Sequence, residues 1–479
     1  MKLSKAMTGA LPMLLVAVTG GPCMSGQATA GQIATTPPKP FVLPAYERVV
    51  MKNGLTVLLL EKHDIPLISM NLTLRSGSVY DPAGKEGVAT LTAQLLRRGT
   101  EGRTADQISD QLDTMGMQFG SSAGLDSTTV YADFLKKDAA SALPLVADIE
   151  LHPTFPDAEV TKELARAQDE ARGVKDSPQA ALQAYFRKFL YGGSLYGRPA
   201  NGDEVSIKTI ARADILAFYK ANYTPGNAIL AVAGDFDSAQ MKAMLEQSFG
   251  KWSGAAPAKP ALTATAPVKG RRLLLVDKPD ATQTYFIMGN VGIDASNPDR
   301  GSIQVVNTLY GGRFTSLFNT ELRIKSGYSY GASSRFTESR VPGPFVMSTF
   351  TRNATTGPAM DKTLEVINTA HAQGFTQAQL ASAKNTIAGS LPPQMETSQA
   401  LANTMARNEL YGITRDQFNA NLVTLGKTTV ADENRVLEQY YPTADNLVIV
   451  VVGKAAEIEP LMGKYATDIT KKKIGDPGF

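Results

Sequence analysis

The sequence predicts an α+β fold built from two copies of one unit, each a mainly antiparallel sheet with helices on one face. Three observations carry that expectation. Matching apolar strands recur at a nearly constant offset, the same succession of helices lies between them, and a stretch rich in Ala, Pro and Thr separates the copies. With 479 residues, 43% of them hydrophobic and 19% charged, the chain has the composition of a globular protein and, at about 150 residues per domain, the length of two or three domains.

At the N-terminus, Lys2 and Lys5 precede an apolar run from Ala10 to Val18, and Ala28-Thr29-Ala30 offers the small residues of a signal-peptidase site. Residues 1–30 are therefore expected to be a removable signal peptide, followed by an extension over 31–45. Pro12 and Gly20-Gly21-Pro22 interrupt the run, which falls short of the about 20 apolar residues of a membrane span. No later stretch is long enough either. An exported chain without an anchor is expected in the periplasm. Cys23, the only cysteine, falls inside the signal, so the mature chain has no disulfide and relies on core burial. Without Lys2 and Lys5 the 48 basic and 45 acidic residues come within one charge of balance, which leaves no electrostatic footprint for nucleic acid.

The first unit, residues 46–251, opens on the strand Leu55-Thr56-Val57-Leu58-Leu59-Leu60-Glu61-Lys62 and closes on the apolar run from Asn227 to Gly234. The second, residues 271–468, opens on Arg272 to Lys278 and closes on Asn446 to Gly453. Lys62 and Lys278 lie 216 positions apart and Asn227 and Asn446 lie 219 apart, the signature of a duplicated unit. Helices expected at 105–115, 138–149 and 158–172 have counterparts near 300–309, 359–371 and 376–388. Residues 252–270 read as a semi-extended linker, and 469–479 as a solvated tail holding Lys471 to Lys473.

Residues 86–98, EGVATLTAQLLRR, place Val88, Leu91, Leu95 and Leu96 on one helical stripe, with Gly99 at its end. Arg75-Ser76-Gly77-Ser78, then Gly87-Val88-Ala89, then Arg98-Gly99-Thr100 follow in the order of the M16 family of zinc peptidases. This is the insulinase or mitochondrial-processing-peptidase family, which the chain resembles over nearly its whole mature length. In that family the helix bears H-x-x-E-H, two His for zinc and a Glu that activates water. The corresponding positions here are Thr90, Ala93 and Gln94. A hydroxyl and an amide are poor zinc donors, and a methyl group takes no proton. The resemblance puts the family's third ligand on Glu170, but one carboxylate does not hold zinc, and a solvated residue on a charged helix is the simpler reading. His63, His152 and His371 are the only histidines, and no two share ligand spacing on a helix. No metal is expected on this chain.

Residues 309–331, LYGGRFTSLFNTELRIKSGYSYG, contain a Gly turn, an amphipathic helix with Leu317, Phe318 and Leu322, a Gly327 cap and a strand expected from Tyr328. This resembles the second-domain motif of M16 peptidases, whose Arg and Tyr face the active site, and it implies Arg323 and Tyr330 for those roles. A fixed guanidinium and a phenol suit peptide hydrolysis because both donate to the oxygen on which charge develops. Residue type alone equally fits Arg323 paired with Glu321 and Tyr330 packed in the core.

Two functions are expected from this combination. One is the non-catalytic subunit of a heteromeric zinc metalloendopeptidase, with zinc and H-x-x-E-H on a partner chain and Arg323 and Tyr330 acting on peptide substrates in trans. The other is a peptide-binding or assembly pseudoenzyme that holds extended peptides on its sheet edges by strand addition. A hydrolase of another class finds no support, since three scattered histidines offer no triad. Gly192-Gly193 and Gly311-Gly312 lack the Lys-Ser/Thr sequel of a phosphate loop.

Overall fold

The computed structural model describes residues 41–479; the expected signal peptide, Cys23 and most of the 31–45 extension lie outside the described residues. In the first half the order is β1 (Glu47–Val50), β2 (Thr56–Glu61), β3 (Leu67–Leu74), α1 (Val88–Leu95), α2 (Ala105–Thr114), β4 (Gln118–Ala123), β5 (Thr128–Leu135), α3 (Ala139–Leu151), α4 (Asp157–Asp176), α5 (Pro178–Tyr191), α6 (Arg212–Asn222), β6 (Ala228–Gly234) and α7 (Ser238–Phe249). Residues 252–269 form no regular element. The second half follows with β7 (Arg271–Asp277), β8 (Gln283–Val291), α8 (Arg300–Asn307), α9 (Leu317–Asn319), β9 (Ala332–Phe336), β10 (Pro344–Arg352), α10 (Thr356–Gln373), α11 (Gln377–Gln394), α12 (Ser398–Tyr411), α13 (Arg415–Lys427), α14 (Val430–Tyr440), β11 (Leu447–Gly453), α15 (Ala455–Met462) and β12 (Asp468–Lys473).

The strands form two six-stranded sheets, in the orders β1-β2-β6-β3-β5-β4 and β12-β7-β11-β8-β10-β9. Five positions correspond, from β2 and β7 through to β4 and β9, and the sixth differs. β1 joins antiparallel to β2 from the start of its half, whereas β12 joins parallel to β7 from the end of its half. Parallel pairing of β2 with β6 and of β7 with β11 makes both sheets mixed, while most neighbouring strands pair antiparallel as expected. The expected tail over 469–479 thus contributes an edge strand. Its Asp-Ile-Thr-Lys-Lys-Lys sequence fits that position, because lysines on an edge discourage further pairing.

Beyond the expected helices on one face, the second face of each sheet is covered as well. All seven residues of β6 and all seven of β11 are buried, so both faces of each sheet need cover. Each half covers one face with its own helices. The other face is covered by a helix from the opposite half. On α5, Ala181, Leu182, Tyr185 and Phe186 pack against Leu274, Val276, Ile287, Val448, Val450 and Val452 of the second sheet. On α12, Leu401, Ala402, Met405 and Ala406 pack against Leu58, Leu60, Ile229, Ala231 and Ala233 of the first. This reciprocal exchange buries the two halves into one another.

Polar contacts fasten the same junction. Asp126 accepts from the Arg340 backbone N–H at 3.0 Å, from Tyr411 Oη at 3.2 Å and from Tyr196 Oη. Arg340 Nη2 also donates to the Arg75 carbonyl at 2.8 Å. From the expected extension, Leu43 is fully buried and its N–H donates to Asn419 Oδ1 at 2.9 Å. No helix among the described residues is long and apolar enough to cross a membrane.

Candidate functional site

α1 begins where Gly87 adopts φ 103°, a conformation that favours glycine. A Cβ there would meet Asn201 O at 2.9 Å, so the 199–203 loop sits directly on the helix start. Asp81 caps that start, accepting from Gly87 N at 2.7 Å and Ala89 N at 3.0 Å. Burial pushes the Asp81 carboxyl up to about 7, against the pull of those two N–H groups.

The three positions of the expected metal motif lie along this helix, and the fold engages two of them, Thr90 and Ala93. Thr90 Oγ1 donates to the Ala200 carbonyl at 3.1 Å, with Asn201 Oδ1 3.3 Å away. Ala93 is fully buried and its carbonyl accepts from Ser121 Oγ on β4 at 2.7 Å. Gln94 keeps its amide oxygen buried without a partner. Glu170 lies on the exposed side of α4, where Arg166 Nη1 donates to it at 2.9 Å. The buried side of α4 carries Val160, Glu163, Ala167 and Ala171 instead. Glu163 is held by Arg166 and faces Arg98 at 3.7 Å. These residues do not fit zinc: the hydroxyl, the methyl and the amide are not its donors, and the nearby carboxylates are bound to guanidinium groups. Among the described residues no three His, Cys, Asp or Glu side chains converge as metal ligands do.

The histidines are dispersed. His63 lies between Asp235 at 2.7 Å and Glu61 at 3.3 Å on the surface, His152 is 3.3 Å from Asp148, and His371 meets the Pro442 carbonyl. Gly120-Ser121-Ser122-Ala123-Gly124 has the spelling of a G-x-S-x-G nucleophile elbow, a pattern that sequence reasoning passed over. Its first four residues lie in β4 and the pattern leads into β5 rather than into a helix, and each histidine is already engaged elsewhere, so the spelling carries no elbow chemistry.

In the second half, residues 308–312 wind as a π-helix, and a Cβ on Gly311 would meet Ser334 N at 2.5 Å, so only glycine allows this approach to β9. After α9, residues Thr320–Lys325 wind as a second π-helix where an ordinary amphipathic helix was expected. Gly327, at φ 62°, ends it, and the N–H of Tyr328 returns to the Leu322 carbonyl at 2.9 Å. The expected strand from Tyr328 is displaced to Ala332. The cause is a turn in which Gly331 N donates to Ser329 Oγ at 3.0 Å, held from β10 by Thr349 and by Thr351 Oγ1 on the Tyr328 carbonyl at 2.7 Å.

That turn carries Tyr330 outward, leaving it 79% exposed rather than packed in the core. The Arg323 guanidinium lies over the Phe314 ring, 4.8 Å from its centroid. Glu321, the acid nearest in sequence, accepts from Lys325 at 2.7 Å instead. Arg323 and Tyr330 border one concavity of about 440 Å³, together with Gln283, Tyr328, Phe350 and Arg352. On the neighbouring edge strand, Ala332 N donates to Asn319 Oδ1 and Asn307 Nδ2 donates to the Ser334 carbonyl, both at 3.1 Å. Two asparagines thus occupy backbone groups of β9 that strand addition would need.

Residues 56–203 match the model described as insulinase (peptidase family M16), and residues 209–387 match that of the peptidase M16 inactive domain. The chain belongs to the M16 family. An uncharacterised zinc protease of Mycobacterium leprae is 26% identical over 394 residues, which cover 82% of this chain and 88% of the relative. One of Mycobacterium tuberculosis is 28% identical over 408 residues, covering 84% and 92%. The crystal structure of a peptidase M16 inactive domain from Pseudomonas fluorescens matches with a TM-score of 0.81 at 25% identity, over 86% of this chain and 98% of that one.

Proposed function

We propose that this M16 chain is the non-catalytic subunit of a heteromeric zinc metallopeptidase, and that it lends Arg323 and Tyr330 to a zinc-bearing partner. One observation carries the reading: Arg323 makes no ion pair among the described residues and Tyr330 is 79% exposed on the same concavity, in a chain whose α1 offers no zinc donors. In the partner's chamber the guanidinium and the phenol would donate to the carbonyl oxygen of a bound peptide and favour the charge that builds there during attack by water. The chain is exported through its N-terminal segment and works in the periplasm. Zinc belongs to the partner.

The test is to purify this chain alone and with an H-x-x-E-H chain from the same compartment, measure zinc in each, and assay an unstructured peptide. Zinc in the partner only, with hydrolysis only by the pair, is the expected result. Hydrolysis by this chain alone rules the reading out. Saturable peptide binding with no cleavage by any pair moves the assignment to a peptide-binding pseudoenzyme.

A further inference from the structure

The concavity that holds Tyr330 adjoins a second one of about 440 Å³, lined by Gln179, Tyr285, Arg313, Phe314, Ser333 and Phe350 among others. Arg323 and Phe350 belong to both, so Arg323 stands on the ridge between them. Arg313 lines one side and Arg352 the other. Arg313 Nη1 donates to Ser382 Oγ and Thr386 Oγ1, both at 3.1 Å, which fixes its position while leaving its charge unmatched. Among the described residues none of the three arginines forms an ion pair, and no Asp or Glu lines either concavity. The walls are aromatic: Tyr285 stacks on Phe350 with centroids 5.4 Å apart, and Phe314 is 60% exposed.

A continuous trough with aromatic walls and three unmatched guanidinium groups has a definite complement. The aromatic surface takes an extended backbone and its apolar side chains, and the guanidinium forks take carboxylates in paired hydrogen bonds. We infer that Arg313 and Arg352 select the substrate of this site, an extended peptide whose Asp or Glu side chains fall beside the segment held by Arg323. The inference rests on the reading of Arg323 as a peptide contact and extends it to substrate class. Arg313 and Arg352 act through binding and take no part in bond cleavage.

The test uses the full chain and two labelled peptides, acetylated and amidated at their ends, that differ only in Glu against Gln at positions flanking the centre. The Glu peptide should bind about tenfold more tightly at low salt, and the margin should shrink as salt rises. Arg313→Gln with Arg352→Gln should erase the margin while the chain still unfolds in one cooperative transition and still binds the Gln peptide measurably. Equal affinities, no measurable binding of the Glu peptide, or a margin that survives in the double variant overturns the inference. So does a preference that follows a free C-terminal carboxylate instead of the side chain. Discrimination by this chain without cleavage by any zinc-bearing pair would remove the proposed function and leave the selectivity standing. Equal cleavage of both peptides by an active pair would do the reverse.

Discussion

The two halves share a sheet order at five positions and bury equivalent strands, yet they treat their chemical positions in opposite ways. In the first half the fold takes up two of the three positions along α1: Thr90 closes the 199–203 loop onto the helix, and Ala93 is sealed under β4, while Gln94 keeps a buried amide oxygen without a partner. In the second half, Arg323 and Tyr330 are left outside the packing by a π-helix and a turn that hold them toward solvent. The duplicated scaffold thus keeps the same layers in both halves while differing in which of these side chains face solvent.

The reciprocal helix exchange is the firmest link between the halves and gives the largest expected effect. Phe186→Ala empties a buried ring from α5 against the second sheet and should cost about 3–5 kcal/mol. Met405→Ala, the corresponding change on α12 against the first sheet, should cost about 2–4 kcal/mol. Because each helix belongs to one half and covers the other, urea unfolding followed by two probes should show one transition in both variants. Separate transitions for the two halves would break the account of the junction.

The next difference is one of pH. In the first half Glu150 is 1% exposed with both carboxyl oxygens unpartnered, and burial alone pushes it up to about 8. Its carboxyl is neutral in the folded chain and ionises near 4.5 in the unfolded one. The stability this gives is complete below about pH 4.5 and is lost as pH rises toward 8. Glu150→Gln should flatten that slope, so its thermal midpoint should exceed the parent's by more at pH 8 than at pH 5. Equal midpoint differences at both values would mean that Glu150 is solvated or paired.

The smallest effect separates structure from chemistry at α1. Thr90→Val removes one hydrogen bond to Ala200 and should cost about 1 kcal/mol, with no change in peptide hydrolysis by a zinc-bearing pair. A large loss of hydrolysis with little loss of stability would return Thr90 to the reacting site.

Much of this contrast was readable in the sequence. The strands around Leu58, Ile229, Leu274 and Val450 declared the duplication because uninterrupted apolar runs recur at one spacing. The cover on the second face was not read from the sequence, because nothing in α5 or α12 says whose sheet it covers: an amphipathic stripe does not name its partner. β12 was hidden by Thr470 to Lys473, whose polarity reads as a tail and is also what an edge strand needs. Arg323 and Tyr330 were singled out by the motif around them; the exposure of Tyr330 depends on the Ser329–Gly331 turn, a long-range arrangement set by Thr349 and Thr351 on β10.

The most direct measurement is kcat/KM for peptide hydrolysis by the assembled pair carrying Arg323→Ala in this chain. Loss of a donor to the developing oxyanion predicts a fall of about 100-fold, near 3 kcal/mol, with pair formation and the partner's zinc unchanged. An Arg323→Ala pair that cleaves at the parent rate would contradict the claim that this chain supplies half of the site.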